Sequence, residues 1–318
     1  MRIRKMNNCL LMLLMAVFII SAASPASAVY HHWKMDAWQE GLYVDGNANT
    51  HGIADSADSS GQGSIAGNSG DPNPAHDPLY VWGEMEDPDL GGGENAFSSD
   101  AAPSGMLNGI SSAQSFNFNA VRELGGNMFY AADQYGNEYS SGSFTAELFF
   151  KQIGDTSGAQ TLLWAKEGHA ASHLQLNTGN SGAGGLEFWG YDGSGFVNIV
   201  MTTEDRAAGF QDGMWHYAAA RYNNASNEMS LMVYSEDGSA YFKNQTLTND
   251  MIINGGNNNI LIGRREGETP VERFAGLIDE VRLSGSAMSN PELIGVPEPV
   301  TALLLGIGSL AFTRKRKT

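Results

Sequence analysis

The stretch LEFWGYDGSGF, Leu186–Phe196, sets three aromatic rings (Trp189, Tyr191 and Phe196) and one carboxylate, Asp192, around a glycine turn. Rings that stack on sugar faces, with a few polar groups to fix orientation, are what a carbohydrate-binding surface needs. Trp164, followed by Lys166 and Glu167, makes a second such locus. A competing reading puts Phe188 and Trp189 on alternating faces of a strand as plain core, and both stand open on the sequence. Hydrolysis of a glycan asks for more. A retaining glycosidase needs two carboxyl groups about 5–5.5 Å apart. AELFFKQ has one Glu, Glu187 and Asp192 do not alternate, and LIDEV lacks a leading acid. There is no G-x-S-x-G, no H-E-x-x-H and no phosphate-cradling glycine loop. His169 and His173 are four apart, but their surroundings read as turn and strand, where that spacing does not bring two rings onto one helical face.

The elements that must carry these residues are strands. SFTAELFFK, Ser143–Lys151, alternates Phe144, Ala146, Leu148 and Phe150 against Thr145, Glu147 and Lys151, the period-two pattern of a half-buried strand. QTLLWAK, SHLQLN, GLEFWGY, FVNIVMTT, WHYAAARY, EMSLMVYS, SAYFKN, NNILIGR and FAGLIDEVRLS follow, divided by Gly, Asn, Asp and Ser turns. No long amphipathic helix interrupts them. The pattern predicts an all-β fold, a two-sheet antiparallel sandwich of the jelly-roll kind. Nearer the N-terminus, VYHHWKMDAW, PLYVWGEM, SFNFNAV and GNMFYAAD read as strands, separated by two insertions, 45–78 and 86–114, rich in Gly, Ser, Asp, Asn and Pro. These insertions read as loose surface loops.

Both ends look built for transport. Arg2, Arg4 and Lys5 precede an apolar run, Leu10–Ile20, and a small-residue site, Ala26-Ser27-Ala28. That is the layout of a secretory signal peptide over residues 1–28, cut by signal peptidase between Ala28 and Val29. The one cysteine, Cys9, lies inside it, so the body at 29–294 uses no disulfide. At the other end, residues 295–318 hold Pro297-Glu298-Pro299, a charge-free stretch at 300–313, and the basic tail Arg314, Lys315, Arg316 and Lys317. As a helix that stretch rises about 21 Å, short of the ~30 Å hydrocarbon core, and its basic end obeys the positive-inside rule. The formal charge of −17 becomes −24 once the seven basic residues of the two ends are set aside. Such a surface excludes nucleic acid and suits neutral or cationic polymers and divalent cations.

Three stretches resemble a known family. DGMWHYAAARYNNASNEMSLMVYSEDG (Asp212–Gly238) and NNILIGRREGETPVERFAGLIDEVRLSGSAMSNPEL (Asn258–Leu293) are similar to the closing half of laminin-G-like, concanavalin A-type jelly rolls, and HHWKMDA (His31–Ala37) to the opening strand of bacterial members. The resemblance implies a jelly-roll fold over 29–294, a fold that also hosts glycoside hydrolases. It also nominates Asp36 and Asp279 for a structural calcium ion. Set among apolar residues, Asp279 otherwise needs Arg282 or the Arg264–Arg265 pair as partner. The C-terminal segment resembles the PEP-CTERM sorting signal of Gram-negative bacteria, with Pro297, Glu298 and Pro299 as its tripeptide. That resemblance implies processing by a membrane exosortase, transient anchoring through the 300–313 helix, and a cargo delivered to the envelope or an extracellular matrix. The sequence leaves three readings: a polysaccharide- or matrix-glycan-binding protein, a glycoside hydrolase or lyase of the same fold, and a purely structural surface protein.

Overall fold

A computed structural model describes residues 29–33, 39–44, 50–55, 79–82, 97–108, 110–118, 128–131, 142–154, 158–166, 173–179, 184–252, 259–263 and 273–295. The predicted signal peptide, the sorting segment and Asp36 lie outside the described residues. In chain order the strands are β1 (Val29–Trp33), β2 (Gln39–Val44), β3 (Thr50–Asp55), β4 (Leu79–Trp82), β5 (Phe97–Ser98), β6 (Ser115–Asn117), β7 (Met128–Ala131), β8 (Phe144–Gln152) and β9 (Gln160–Lys166). They continue as β10 (His173–Thr178), β11 (Leu186–Tyr191), β12 (Phe196–Met201), β13 (His216–Asn223), β14 (Glu228–Ser235), β15 (Ala240–Thr246), β16 (Asn259–Ile262) and β17 (Gly276–Ser284).

The strands form two antiparallel sheets. The first has the order β15-β14-β13-β8-β17-β6-β5, with β1 also paired to β17; the second runs β12-β11-β10-β9-β16-β7-β4-β3-β2. This is the predicted two-layer sandwich. Its centre shows how register builds the core. Ile262, Leu163, Leu176, Phe188 and Ile199 lie directly opposite one another across five strands of the second sheet, and all five belong to the main core. From the first sheet, Phe144, Ala146, Leu148, Phe150, Ala218, Ala220 and Tyr222 meet them. Burial of these side chains contributes roughly 1.5–3 kcal/mol per large residue.

β17 explains why its sequence alternates imperfectly. Ile278 faces the main core, as do Val281 and Leu283, which breaks the period of two. The register with β8 shifts between Asp279 and Arg282, and Glu280 has φ 49°. A bulge there inserts a residue and swaps the faces. All nine residues of β17 are buried, so both sides are covered.

The cover on the far side of the first sheet is a second, smaller core. Phe149, Trp215, Tyr217, Ala219, Met232 and Leu277 point away from the main core and pack with Ala102, Met106, Leu107, Met288, Leu293 and Ile294. The predicted loose insertions thus contain structure. Part of 86–114 is buried as this cover, and β3 lies within 45–78. Loop composition hid both, because a covering segment needs only a few apolar anchors.

Candidate functional site

Opposite faces of β9–β12 separate by alternation. The core row at Leu163, Leu176 and Phe188 leaves Trp164, Gln175, Trp189 and Asn198 on the outer face, also directly opposite one another. One step along, Thr161, Asn177, Glu187 and Val200 form a parallel row, and Tyr191 pairs with Phe196 at the hairpin end. Trp164 and Trp189, far apart in sequence, therefore share one surface with Gln175 between them, about 10 Å apart at the usual strand spacing.

Hydrogen bonds hold the polar part of this surface in place. Gln175 Nε2 donates to Asn177 Oδ1 at 2.7 Å and reaches Thr161 Oγ1 at 3.5 Å. Trp189 Nε1 donates to Glu187 Oε2 at 2.6 Å. Gln175, Asn177, Thr161 and Glu187 are all buried, so Trp189's ring is set by a carboxylate that has little freedom to move. Exposure rises towards the hairpin. Trp164 is 3% exposed and Phe196 57%, with Trp189 and Tyr191 half-buried between. Phe196 makes edge contacts to both, at 6.4 Å from Trp189 and 5.6 Å from Tyr191. These are favoured aromatic geometries.

The hairpin that carries Tyr191 and Phe196 is pinned by Asp192. Its Oδ1 accepts from Ser194 N, Ser194 Oγ and Gly195 N at 2.9, 2.7 and 2.9 Å, and Oδ2 accepts from Asn249 Nδ2 at 3.3 Å. The Ser194 hydroxyl first, then the turn amides, lower its pKa to about 2. Asp192 thus holds the turn with its own carboxyl. Beneath the hairpin, a Cβ on Gly190 would meet Met251 Cε at 2.4 Å, so a larger residue there would make the Met251 side chain shift. Ile252 N donates to Tyr191 O at 2.8 Å, completing the attachment.

Sequence reasoning named Trp189, Tyr191, Asp192, Trp164 and Phe196, weighed Glu187 only as half of a carboxylate pair, and missed Gln175, Asn177 and Thr161. The alternation Gln175-Leu176-Asn177 inside a strand was the available signal. Asp279 sits elsewhere, fully buried, and its Oδ2 accepts from Ala102 N at 2.9 Å. Of its two expected partners, Arg282 pairs instead with Glu147, directly opposite it on β8, and Arg264–Arg265 lie outside the described residues. Glu280 Oε2 lies 2.6 Å from His32 Nε2. Among the described residues no group of three or more His, Cys, Asp or Glu side chains is placed to hold a metal ion.

One arrangement imitates a hydrolase. His216 Nδ1 lies 2.9 Å from Ser235 Oγ, and its Nε2 lies 2.9 Å from Asp212 Oδ1. Ser235 and His216 are both 0% exposed, so no substrate carbonyl reaches the hydroxyl. Burial holds the His216 imidazole below its ordinary pKa against the opposing pull of Asp212. The chain is a structural link between β13 and β14, continued by Arg206, which donates to Asp212 and, at 3.0 Å, to Asp237.

Among solved structures, the chain is similar to the carbohydrate-binding module (CBM40) of a Ruminococcus gnavus IT-sialidase, at 17% identity and TM-score 0.40, covering 52% of this chain and 91% of that one. It is also similar to domains LG4-5 of the mouse laminin α1 chain, at 19% identity and TM-score 0.32 over 48% and 39% of the two chains. The binding domain of botulinum neurotoxin DC aligns at 10% identity and TM-score 0.41 over 86% and 51%. No curated protein matches the chain. Residues 124–294 match the family Laminin_G_3, and the chain belongs to this concanavalin A-like lectin/glucanases superfamily.

Proposed function

We propose that this protein is an exported, non-catalytic glycan-binding protein whose contact surface is the outer face of β10–β12. One observation carries the reading. Trp189, Tyr191 and Phe196 form a contiguous, partly exposed aromatic surface beside a hydrogen-bonded floor of amides and one carboxylate. Aromatic faces pack against the C–H faces of sugars, and amides and carboxylates accept and donate to hydroxyls. The described side chains of this face, apart from the turn carboxyl of Asp192, offer Glu187 alone as an acid, which does not supply the paired carboxylates of glycoside hydrolysis. Tryptophan fluorescence during titration with oligosaccharides tests the reading. A saturable change that is lost in Trp189→Ala, with no release of reducing sugar, is the expected result; sugar release with intact Trp189→Ala binding would support the hydrolase or lyase alternative.

Export through signal peptidase and sorting through an exosortase complete the proposal, supported by Ala26, Ala28 and Val29 at one end and by Pro297–Pro299 with Arg314–Lys317 at the other. Mass spectrometry of the mature protein is expected to find Val29 as first residue and a new C-terminus near Pro297. A structural calcium ion on Asp279 belongs to the same proposal, and its expected signature is a rise in melting temperature when calcium is returned to chelator-treated protein.

A further inference from the structure

One residue beside the rings carries the reading further, to the arrangement of hydroxyls that the surface takes. Asn198 lies directly opposite Trp189 across β11 and β12. At the hairpin turn, Asp192 N donates to Gly195 O at 3.1 Å. Alternation from that hydrogen-bonded pair bonds Gly190 with Val197 and Phe188 with Ile199, and leaves Trp189 and Asn198 as a non-hydrogen-bonded pair. Side chains of such pairs come closest, with Cβ atoms about 4.5–5.5 Å apart. The Asn198 carboxamide therefore stands against the Trp189 ring on the outer face, two residues along β12 from Phe196.

Asparagine is depleted in strands, and elsewhere in this protein a bond accounts for it. The carboxamides of Asn108, Asn177, Asn227, Asn249 and Asn290 are each hydrogen-bonded to another group. Asn198 is half-buried in the middle of its strand. Among the described residues nothing hydrogen-bonds to its carboxamide, which is also not one of the polar groups sealed from solvent. A residue set against local propensity with no structural return marks a functional position.

A pyranose stacked on an aromatic face lays its axial C–H bonds on the ring and points its equatorial hydroxyls sideways. A carboxamide beside that ring meets those hydroxyls at the rim. Its oxygen accepts from one hydroxyl while its NH2 group donates to the oxygen of the next. We infer that Asn198 is a specificity-determining residue of this surface, which takes a glycan whose pyranoses present two adjacent, free equatorial hydroxyls. The inference rests on the glycan-binding reading and narrows it. Trp189, its indole held by Glu187, supplies the stacking face, and Asn198 reads the hydroxyl pair. An axial hydroxyl at either position breaks one of the two bonds and leaves half of the carboxamide unmatched.

The test is calorimetric titration of the full chain with cellohexaose and with mannohexaose of the same linkage. Internal residues of the first present two adjacent equatorial hydroxyls; in the second, one of the two is axial. The expected result is that cellohexaose binds about tenfold more tightly. Asn198→Ala, checked for an unchanged melting profile, removes that preference and leaves mannohexaose affinity in place. In the unaltered chain, the Asn198 side-chain NH2 resonances shift saturably with cellohexaose, together with the Trp189 indole resonance. Equal affinity for the two hexamers, a preference that survives in Asn198→Ala, or a shift of Trp189 with Asn198 stationary overturns the inference while leaving the glycan-binding reading intact. Failure of both hexamers to bind also overturns it, and failure of every oligosaccharide overturns the glycan-binding reading as well.

Discussion

The outer faces of the two sheets differ in what lies on them. On the first sheet, the outward residues Phe149, Trp215, Tyr217 and Met232 are sealed under 97–110 and 286–295. The seal is anchored by charge. Glu147, fully buried, accepts from Tyr217 OH, from Arg282 and, at 2.8 Å, from Ile294 N. Arg282 also donates to Glu292 O at 2.6 Å, and Asn108 N donates to Ile294 O of the closing segment at 2.7 Å. Gly295 lies so close to Tyr217 that a Cβ would stand 2.1 Å from its ring. On the second sheet, the outward residues near the hairpin are aromatic but stay partly exposed. The same alternation of strand residues thus yields a closed face, where the carboxylate of Glu147 is bonded to the covering segment, and an open one, where rings are left for a partner. The closed face is where stability is concentrated; the open face is where binding is proposed.

Glu147→Ala should have the largest effect. It strands Arg282 and Tyr217 OH without their acceptor, and breaking a buried charged pair costs about 3–5 kcal/mol. Urea denaturation should show that loss, while folded molecules keep their sugar affinity. If binding fell with stability intact, the two faces would not be independent. Trp189→Ala should do the reverse. Affinity drops by about 2 kcal/mol, roughly thirtyfold, as for a central aromatic anchor, and the urea midpoint moves far less than in Glu147→Ala.

Acid should weaken the sandwich through His216 first and the turns held by Asp192 and Asp237 only later. His216 has a lowered pKa in the folded protein, chiefly from burial. The unfolded chain therefore binds more protons below the ordinary imidazole value of about 6.5, and stability falls as pH drops through it. Asp192 and Asp237, brought to about 2 by serine hydroxyls and amides in their own turns, add stability that is present above the ordinary carboxylate value and lost as pH falls towards 2. Melting temperatures measured from pH 7.5 to 5 should decline, and His216→Gln should flatten that slope.

Phe242→Ala gives the smallest effect. Phe242 is 53% exposed and sits under the Arg221 guanidinium at 5.9 Å, on the closed-face side. An exposed cation–π contact contributes about 0.5–1 kcal/mol. Stability should shift by no more than that, and sugar binding should not change at all.

Much of this was legible in the residues. Alternation in SFTAELFFK and WHYAAARY gave strands, and the turns between them gave two antiparallel sheets. Trp189 was read as either core or site, and the structure shows why one strand allows both: Phe188 faces inward and Trp189 outward. What stayed hidden depends on long-range pairing. Nothing local says that Trp164 and Trp189 share a row with Gln175, because that follows from the registers of three strands. Nothing local says that Arg282 serves Glu147 rather than Asp279, because that follows from the register of β17 against β8. The buried segment within 86–114 was concealed by its glycine- and serine-rich surroundings, since Ala102, Met106 and Leu107 are too sparse to form a periodic pattern.

The chain has six tryptophans, and two of them report separately on the two faces. Trp189 Nε1 is bonded to Glu187 on the open face, and Trp215 Nε1 donates to Asp100 at 2.8 Å beneath the closed one. Indole N–H resonances, assigned with Trp189→Phe and Trp215→Phe and followed during titration with oligosaccharides, test the account most directly. The expected result is a saturable shift of the Trp189 resonance with Trp215 stationary; a shift of Trp215 with Trp189 unmoved would contradict it.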